Sequence, residues 1–327
     1  MLWHELNIPV VDTHADSMLD VVYNRRRLGE RNDEGQLDIP RALEGGLSLQ
    51  CFSCWVEPEY KPERALSRQL EFFDRFWQEA AANSEHLTVV TNLASLEEAL
   101  TSNKLGGIIS VEGAEALGTS PSLVRLFHRL GVRLMSLTWN ERNALADGAG
   151  EDPGGGGLSR AGRTIIAEME QVGIIVDVSH LSEAGFWDVV EVQKRPFIAS
   201  HSNCKTLTPH RRNLNDDQIL ALAKAGGIQG ITFVREFLGG TEDINRVIDH
   251  MAHAVDVVGD SLHLGLGSDF DGVENPVQGL EDVTALPRLA DQMSQRGFND
   301  ATVANILGGN YVRFLRTYWN ASQIAPL

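Results

Sequence analysis

The sequence predicts a single (β/α)8 barrel spanning residues 1–327. Three observations predict it. Eight short apolar runs alternate with helix-like segments, no proline-rich linker or change of composition divides the chain, and polar residues recur where the apolar runs end.

The eight runs are, in order, VVDTHAD, LSLQCFSCWV, LGGIISVEGAE, RLMSLTWN, GIIVDVSH, PFIASHS, GGIQGITF and HLGLGSDFDG. The first poses the sharpest question. Two β-branched residues lead into Asp12, His14 and Asp16, and residues two apart on a strand share a face. His14 and Asp16 therefore point the same way, and burying them unpaired would cost several kcal/mol. Something must compensate for that cost.

The intervening segments carry helix signals. Ser95-Leu-Glu-Glu98 reads as a capping box opening a helix that Gly106 and Gly107 close, and residues 215–226 place acids in the first turn and glycine at the end. The glycine-rich stretch DGAGEDPGGGG, residues 147–157, lacks the GK[ST] of a phosphate-binding loop and reads as a mobile loop after the fourth strand.

Composition excludes several functions. With 43% hydrophobic and 22% charged residues the chain is a folded globule rather than a disordered one. Lys and Arg number 28 against 45 Asp and Glu, a net charge of −17, and no basic cluster offers a surface for nucleic acid. The first twenty residues lack a basic stretch followed by an apolar one, and no run reaches the roughly 18 apolar residues of a membrane span. A cytoplasmic protein without a membrane anchor is expected. Three cysteines, Cys51, Cys54 and Cys204, are too few and too odd in number for a disulfide framework. The CxxC pair at Cys51 and Cys54 has no second pair to complete a structural zinc site and lies in an apolar strand, so buried free thiols are expected.

Barrel enzymes place their reactive residues at the C-terminal ends of strands. Here strand one ends in His14 and Asp16, strand three in Glu112, strand five in His180, strand six in His201 and strand eight in Asp269. A lone histidine at a strand end is usually a hydrogen-bonded core residue. Three histidines and three carboxylates at the same end of one barrel converge on one small volume and predict a metal site. Imidazole and carboxylate without thiolate suit zinc, or with less selectivity manganese, cobalt or iron. Six candidates exceed what one catalytic zinc uses, so a second ion is expected, with one carboxylate bridging ions about 3.5–4 Å apart. Glu112, on a strand between the two histidine groups, is the natural bridge.

These residues carry a resemblance. HADSM after VVD, SVEGAEAL, VDVSHLSEAGFWDV, ASHSNC followed by RRNLNDDQI, and LGLGSDFDGV together resemble the membrane (renal) dipeptidase family of the amidohydrolase superfamily. The likeness runs nearly the whole chain, to the closing ILGGNYVRFL. It implies a (β/α)8 barrel that cleaves dipeptides with two zinc ions, often as a homodimer. It further implies that His14 and Asp16 bind one zinc, Glu112 bridges, and His180 and His201 bind the other. Arg212, the second arginine of RRN, would grip the free carboxylate of the substrate, and Asp269 would handle the proton. The mammalian members are secreted and lipid-anchored, and the chain shows neither signal.

On this reading a hydroxide shared by two zinc ions attacks the scissile carbonyl, and Asp269 takes its proton and returns it to the leaving amine. Asp271, two residues on, competes for the same role by spacing. By position alone Arg211 and Arg212 read as solvated loop charges, the usual fate of such pairs, although arginine offers a rigid fork for a carboxylate. His250 and His253 fall on a helix outside the barrel and read as interhelical or surface residues. His4, His86, His128, His210 and His263 receive the same structural reading.

One position departs from the family. Members place a histidine after strand four, in a pattern like LTHN, where it supports the carbonyl as charge develops, whereas this chain reads SLTWNERN with Trp139 in its place. Indole donates one hydrogen bond and cannot become cationic. Either the metal carries the whole burden, Trp139 or Asn140 substitutes, or the substrate differs. The departure keeps a related amidohydrolase acting on N-acyl amino acids or lactones as the alternative. A non-catalytic metal-binding protein is a third reading, which the retained Asp269 argues against.

Overall fold

The computed structural model describes residues 8–240 and 243–320. His4 lies outside them. Nine strands are present among the described residues: β1 (Val10–Ala15), β2 (Leu47–Trp55), β3 (Leu87–Val89), β4 (Leu105–Glu112), β5 (Val132–Ser136), β6 (Ile175–Asp177), β7 (Ile198–Ala199), β8 (Ile228–Ile231) and β9 (Leu264–Leu266). All pairings between them are parallel, and contact between β2 and β4 closes the ring. Eight strands therefore form the barrel, in the order β1, β2, β4, β5, β6, β7, β8, β9, and helices surround it. This is the (β/α)8 architecture that the alternating runs predict.

The apolar runs do not predict the ninth strand, β3. β3 is three residues long and pairs only with the outer edge of β4 at Leu87, Thr88 and Val89, so it carries too little apolar pattern to be distinguished from a loop.

Alternation along the strands separates two cores. One set of residues, including Val11, Leu49, Ile108, Leu134, Ile175, Ile198 and Ile228, packs inside the N-terminal end of the barrel. Tyr311, Phe314, Leu315 and Tyr318 of the helix Asn310–Tyr318 plug that end. The other set faces outward against the helices, as with Phe52, Val111 and Val176. With the N-terminal end plugged, the open mouth lies where the strands end.

The helix grammar holds at one place and shifts at another. Asn215 caps the helix Asp216–Lys224 in a capping box with Gln218, and the chain turns away at Gly226. The earlier helix is Leu93–Thr101, capped by Asn92, and Ser95 closes its box at N3 rather than opening it. Gly106 and Gly107 do not end that helix; they lie inside β4. A Cβ on Gly106 would meet the side chains of Leu49, Ala99 and Val90, so glycine serves close packing there. The loop of residues 147–157, read as mobile, is tied down along its length. The amides of Ala149 and Gly150 bond to the carbonyls of His180 and Asn140, at 2.7 and 2.8 Å, and Asp147 accepts from the Arg142 guanidinium at 2.5 Å.

All three cysteines are buried and free, and burial pushes their thiols upward. His250 is buried on the helix Ile244–Val258, accepting from the Cys204 amide at 3.0 Å, and His253 pairs with Asp216.

At Gly230 a Cβ would overlap the carbonyl oxygen of Ser200, just past the neighbouring β7, a backbone atom that cannot turn aside. Gly230→Ala is expected to destabilise the fold by about 1–3 kcal/mol, as overpacking does, read as a lowered urea midpoint.

Candidate metal centre

The mouth of the barrel gathers the residues that the strand ends predicted. His14 lies in β1, Asp16 just beyond it, Glu112 at the last position of β4, His180 three residues past β6, His201 two past β7 and Asp269 three past β9. His14, Glu112 and His201 offer ligand atoms within 4.8 Å of one another, as do His14, Asp16 and Asp269.

Glu112 divides the group in two. Its Oε1 lies 2.7 Å from Nε2 of His180 and 3.7 Å from Nε2 of His201. Its Oε2 lies 3.4 Å from Nε2 of His14 and accepts from Ser53 Oγ at 2.8 Å. Nε2 of His14 stands 3.5 Å from Asp16 and 3.8 Å from Asp269. One carboxylate thus faces both halves with one oxygen each.

The other ring nitrogens set the tautomers. Ser200 Oγ donates to Asp177 Oδ2 at 2.5 Å, so Nδ1–H of His201 donates to Ser200 Oγ at 2.7 Å. Nδ1–H of His180 donates to Asn140 Oδ1 at 2.9 Å. Both histidines then present an Nε2 lone pair, and those two nitrogens are 2.8 Å apart beside Glu112 Oε1. Three acceptors converge without a proton between them, which is a cradle for a cation. Both His14 nitrogens are buried without a hydrogen-bond partner.

The electrostatics point the same way. Burial, with Arg212 nearby, lowers His180 to about 3, and burial with His14 and Arg212 holds His201 well below the ordinary imidazole range, so both are in the neutral form that ligates. Burial opposes charge on His14, but Glu112 and Asp16 overcome it and hold its pKa well above the usual value. Burial likewise opposes charge on Glu112, and His14 and His180 overcome it and hold the carboxyl well below its usual range. In both cases the carboxylates demand positive charge at this point. Burial, reinforced by Asp16 and Glu112, raises Asp269 well above the usual carboxylate value.

Backbone strain marks the same residues. His180, Asp269 and Asp271 adopt φ of 73°, 67° and 67°, a region that non-glycine residues enter at a cost and that clusters at functional sites. Asp12 anchors the β9 loop by accepting from the Ser268 amide at 2.7 Å and its hydroxyl at 2.6 Å. Asp271 is engaged with Arg26 at 2.6 Å and with the Gln36 amide at 2.5 Å, so it is an anchor and not a rival to Asp269 for a free carboxylate.

A cavity of about 470 Å³ opens over this group, a size usual for small-molecule sites. Arg212, Trp55, Trp139, Phe237 and Asn140 line it with Asp16, Glu112, His180 and Asp269. Arg212 is buried and its pKa is lowered to about 10 by that burial. Its Nη2 donates to the His201 carbonyl at 3.2 Å, and its Nε has no partner among the described residues. Asn140, expected to contact substrate, lines the cavity, and its amide oxygen also accepts from His180.

Sequence reasoning passed over Asp177, Ser200 and Ser53, the residues that aim the first group. A signal was available: GIIVDVSH repeats the apolar-pair, acid and histidine order of VVDTH.

Buried carboxylates and neutral imidazoles converging at a barrel mouth define a metal-dependent hydrolase. The chain belongs to the membrane dipeptidase family (peptidase family M19), whose model matches residues 5–325. Dipeptidase verJ of Clonostachys rogersoniana is 35% identical over 80% of this chain, which spans 66% of that protein's length. The crystal structure of dipeptidase AC, a metallopeptidase of the same family, superposes with a TM-score of 0.90 at 30% identity, covering 96% of this chain and 100% of that one. A metallopeptidase from Rhodobacter sphaeroides, liganded with a phosphinate mimic of the dipeptide L-Ala-D-Ala, gives 0.89 at 30% identity, covering 95% and 99%. No helix among the described residues is long and apolar enough to cross a membrane.

Asp177 touches no candidate ligand and acts through Ser200 and the Ser179 amide. Asp177→Ala is expected to weaken divalent-metal affinity about 10–100-fold, as outer-shell losses do, measured by competition with a chromophoric chelator.

Proposed function

We propose that the chain is a zinc-dependent dipeptidase with two ions per molecule. Support comes from the Glu112 carboxylate, which faces lone pairs of His180 and His201 with one oxygen and His14 with the other. His14 and Asp16 would hold one ion, His180 and His201 the second, and Glu112 both. Bound zinc supplies a Lewis acid for the scissile carbonyl and brings the pKa of a water from 15.7 to about 7.

The chain's own groups supply the rest. Asp269, beside His14 and Asp16 and open to the cavity, is placed to take a proton at Oδ1 and return it to the leaving amine. Amines leave poorly unless protonated, so that return is half of the catalysis. Arg212 presents a buried guanidinium with an unused Nε–H, the form that a free carboxylate at the end of a dipeptide matches. Its burial excludes water from the pair and strengthens it. Asn140 acts on His180, fixing the ring that faces Glu112. Trp139, half-buried on the cavity wall, stands where family members carry a histidine, and for that reason N-acyl amino acids and lactones belong in the same assay.

Zinc-loaded protein is expected to hydrolyse members of a panel of L-Xaa-L-Xaa and L-Xaa-D-Xaa dipeptides faster than N-acyl amino acids or lactones, with about two zinc per chain by elemental analysis. Turnover of the latter classes alone would replace the dipeptide reading, and no turnover of any would leave a metal-binding protein. Arg212→Ala is expected to raise KM for dipeptides about 10–100-fold, as loss of a charged hydrogen bond does, with a smaller effect on kcat. Asp269→Asn should leave KM near its original value and lower kcat about 10²–10⁴-fold, measured under saturating substrate.

A further inference from the structure

We infer that Trp55 and Trp139 form a specificity wall for a large apolar or aromatic side chain on the amino-terminal residue of the substrate. The inference rests on the dipeptidase reading and concerns which dipeptides the site prefers.

The two indoles pack with ring centroids 5.1 Å apart, and both line the cavity. Neither is fully buried, unlike Phe52 and Phe76, which serve packing alone. Trp55 ends β2 and Trp139 follows β5, so the pair arches over the end of β4, where Glu112 stands. Lys61 holds the arch. Its ammonium lies 5.7 Å from the Trp55 ring centre and 5.9 Å from that of Trp139, and 3.3 Å from Glu115 Oε1. Trp139 is further fixed by His180, whose ring centre is 5.9 Å away. A wall clamped in this way loses little freedom when a ligand packs on it.

Its position in the ring decides what meets it. Counting around the barrel, β2 is the second strand and β7 the sixth of eight, so Trp55 stands diametrically across the mouth from the strand that leads to Arg212. A dipeptide with its carboxylate on Arg212 and its carbonyl over Glu112 must send its amino-terminal residue toward Trp55 and Trp139. Leu19, also on the cavity wall, adds apolar surface. The carboxyl-terminal side chain falls instead on the side of Val234 and Phe237.

The test compares kcat/KM across an Xaa-Ala series, with Xaa as Gly, Ala, Leu and Phe, against an Ala-Xaa series, using zinc-loaded protein. In the unmodified protein kcat/KM is expected to rise at least tenfold from Gly-Ala to Phe-Ala, equivalent to about 1.4 kcal/mol. Trp139→Ala should remove most of that rise while leaving the slope of the Ala-Xaa series intact. Calorimetric Kd values for phosphinate isosteres of Gly-Ala and Phe-Ala should differ by the same ratio. A flat Xaa-Ala series in an active, unmodified protein would overturn the wall, whether or not the variant folds. So would a Trp139→Ala protein that keeps the slope. Absence of dipeptide turnover altogether would instead sink the dipeptidase reading, and the wall with it.

Discussion

A carboxylate taken out of water and set among imidazoles is costly unless positive charge is shared with it. Glu112 is in that situation, at the last residue of β4 and in the centre of the barrel mouth. The surrounding arrangement follows from it. Ser53 holds one of its oxygens, Asn140 turns the His180 ring toward the other, and Asp177 acts through Ser200 to do the same for His201. Hydrogen bonding at the far nitrogen of each ring leaves the near nitrogen as a lone pair. Without a cation, three acceptors would oppose one another in a buried space, and family membership in the metallopeptidases supplies the reason that they do not.

The scaffold keeps these groups in place at some expense. His180 and Asp269 sit in left-handed backbone conformations, and each is over-determined by neighbours. The His180 carbonyl accepts from Ala149, which ties the strained turn to the glycine-rich loop, and the Asp269 amide donates to the His14 carbonyl at 3.1 Å. Asp12 and Asp271 flank this turn and hold it through Ser268, Arg26 and Gln36. Asp12 and Asp271 are thus anchored to the fold, whereas Asp269 lines the cavity with Asp16 and Glu112. Function and foldability are met by different acids within a few residues of each other.

Most of the barrel was legible because buried parallel strands are continuous apolar runs and the site residues interrupt them at one end. β3 escaped because three residues at a sheet edge need no apolar run. Gly106 and Gly107 misled because glycine ends helices and also permits close strand packing, and only the neighbouring side chains of Leu49 and Val90 distinguish the two. In the site, strand-end position brings His14, Asp16, Glu112, His180, His201 and Asp269 together, and in the structure each lies close to His14 or Glu112. What sequence could not show was support. Ser53, Asp177 and Ser200 look like ordinary strand residues, and the choice between Asp269 and Asp271 depends on Arg26, more than 240 residues away in the chain. Nor could the sequence show that Asn140, on the cavity wall, also fixes His180 through its amide oxygen.

We propose that Glu112 joins two cations, one on each oxygen. Anomalous diffraction at the zinc edge from crystals of the loaded protein tests it directly. Two peaks about 3.5–4 Å apart are predicted, one beside His14 and Asp16, the other beside His180 and His201, each touching one Glu112 oxygen. A single peak, or two peaks of which Glu112 touches only one, would contradict it.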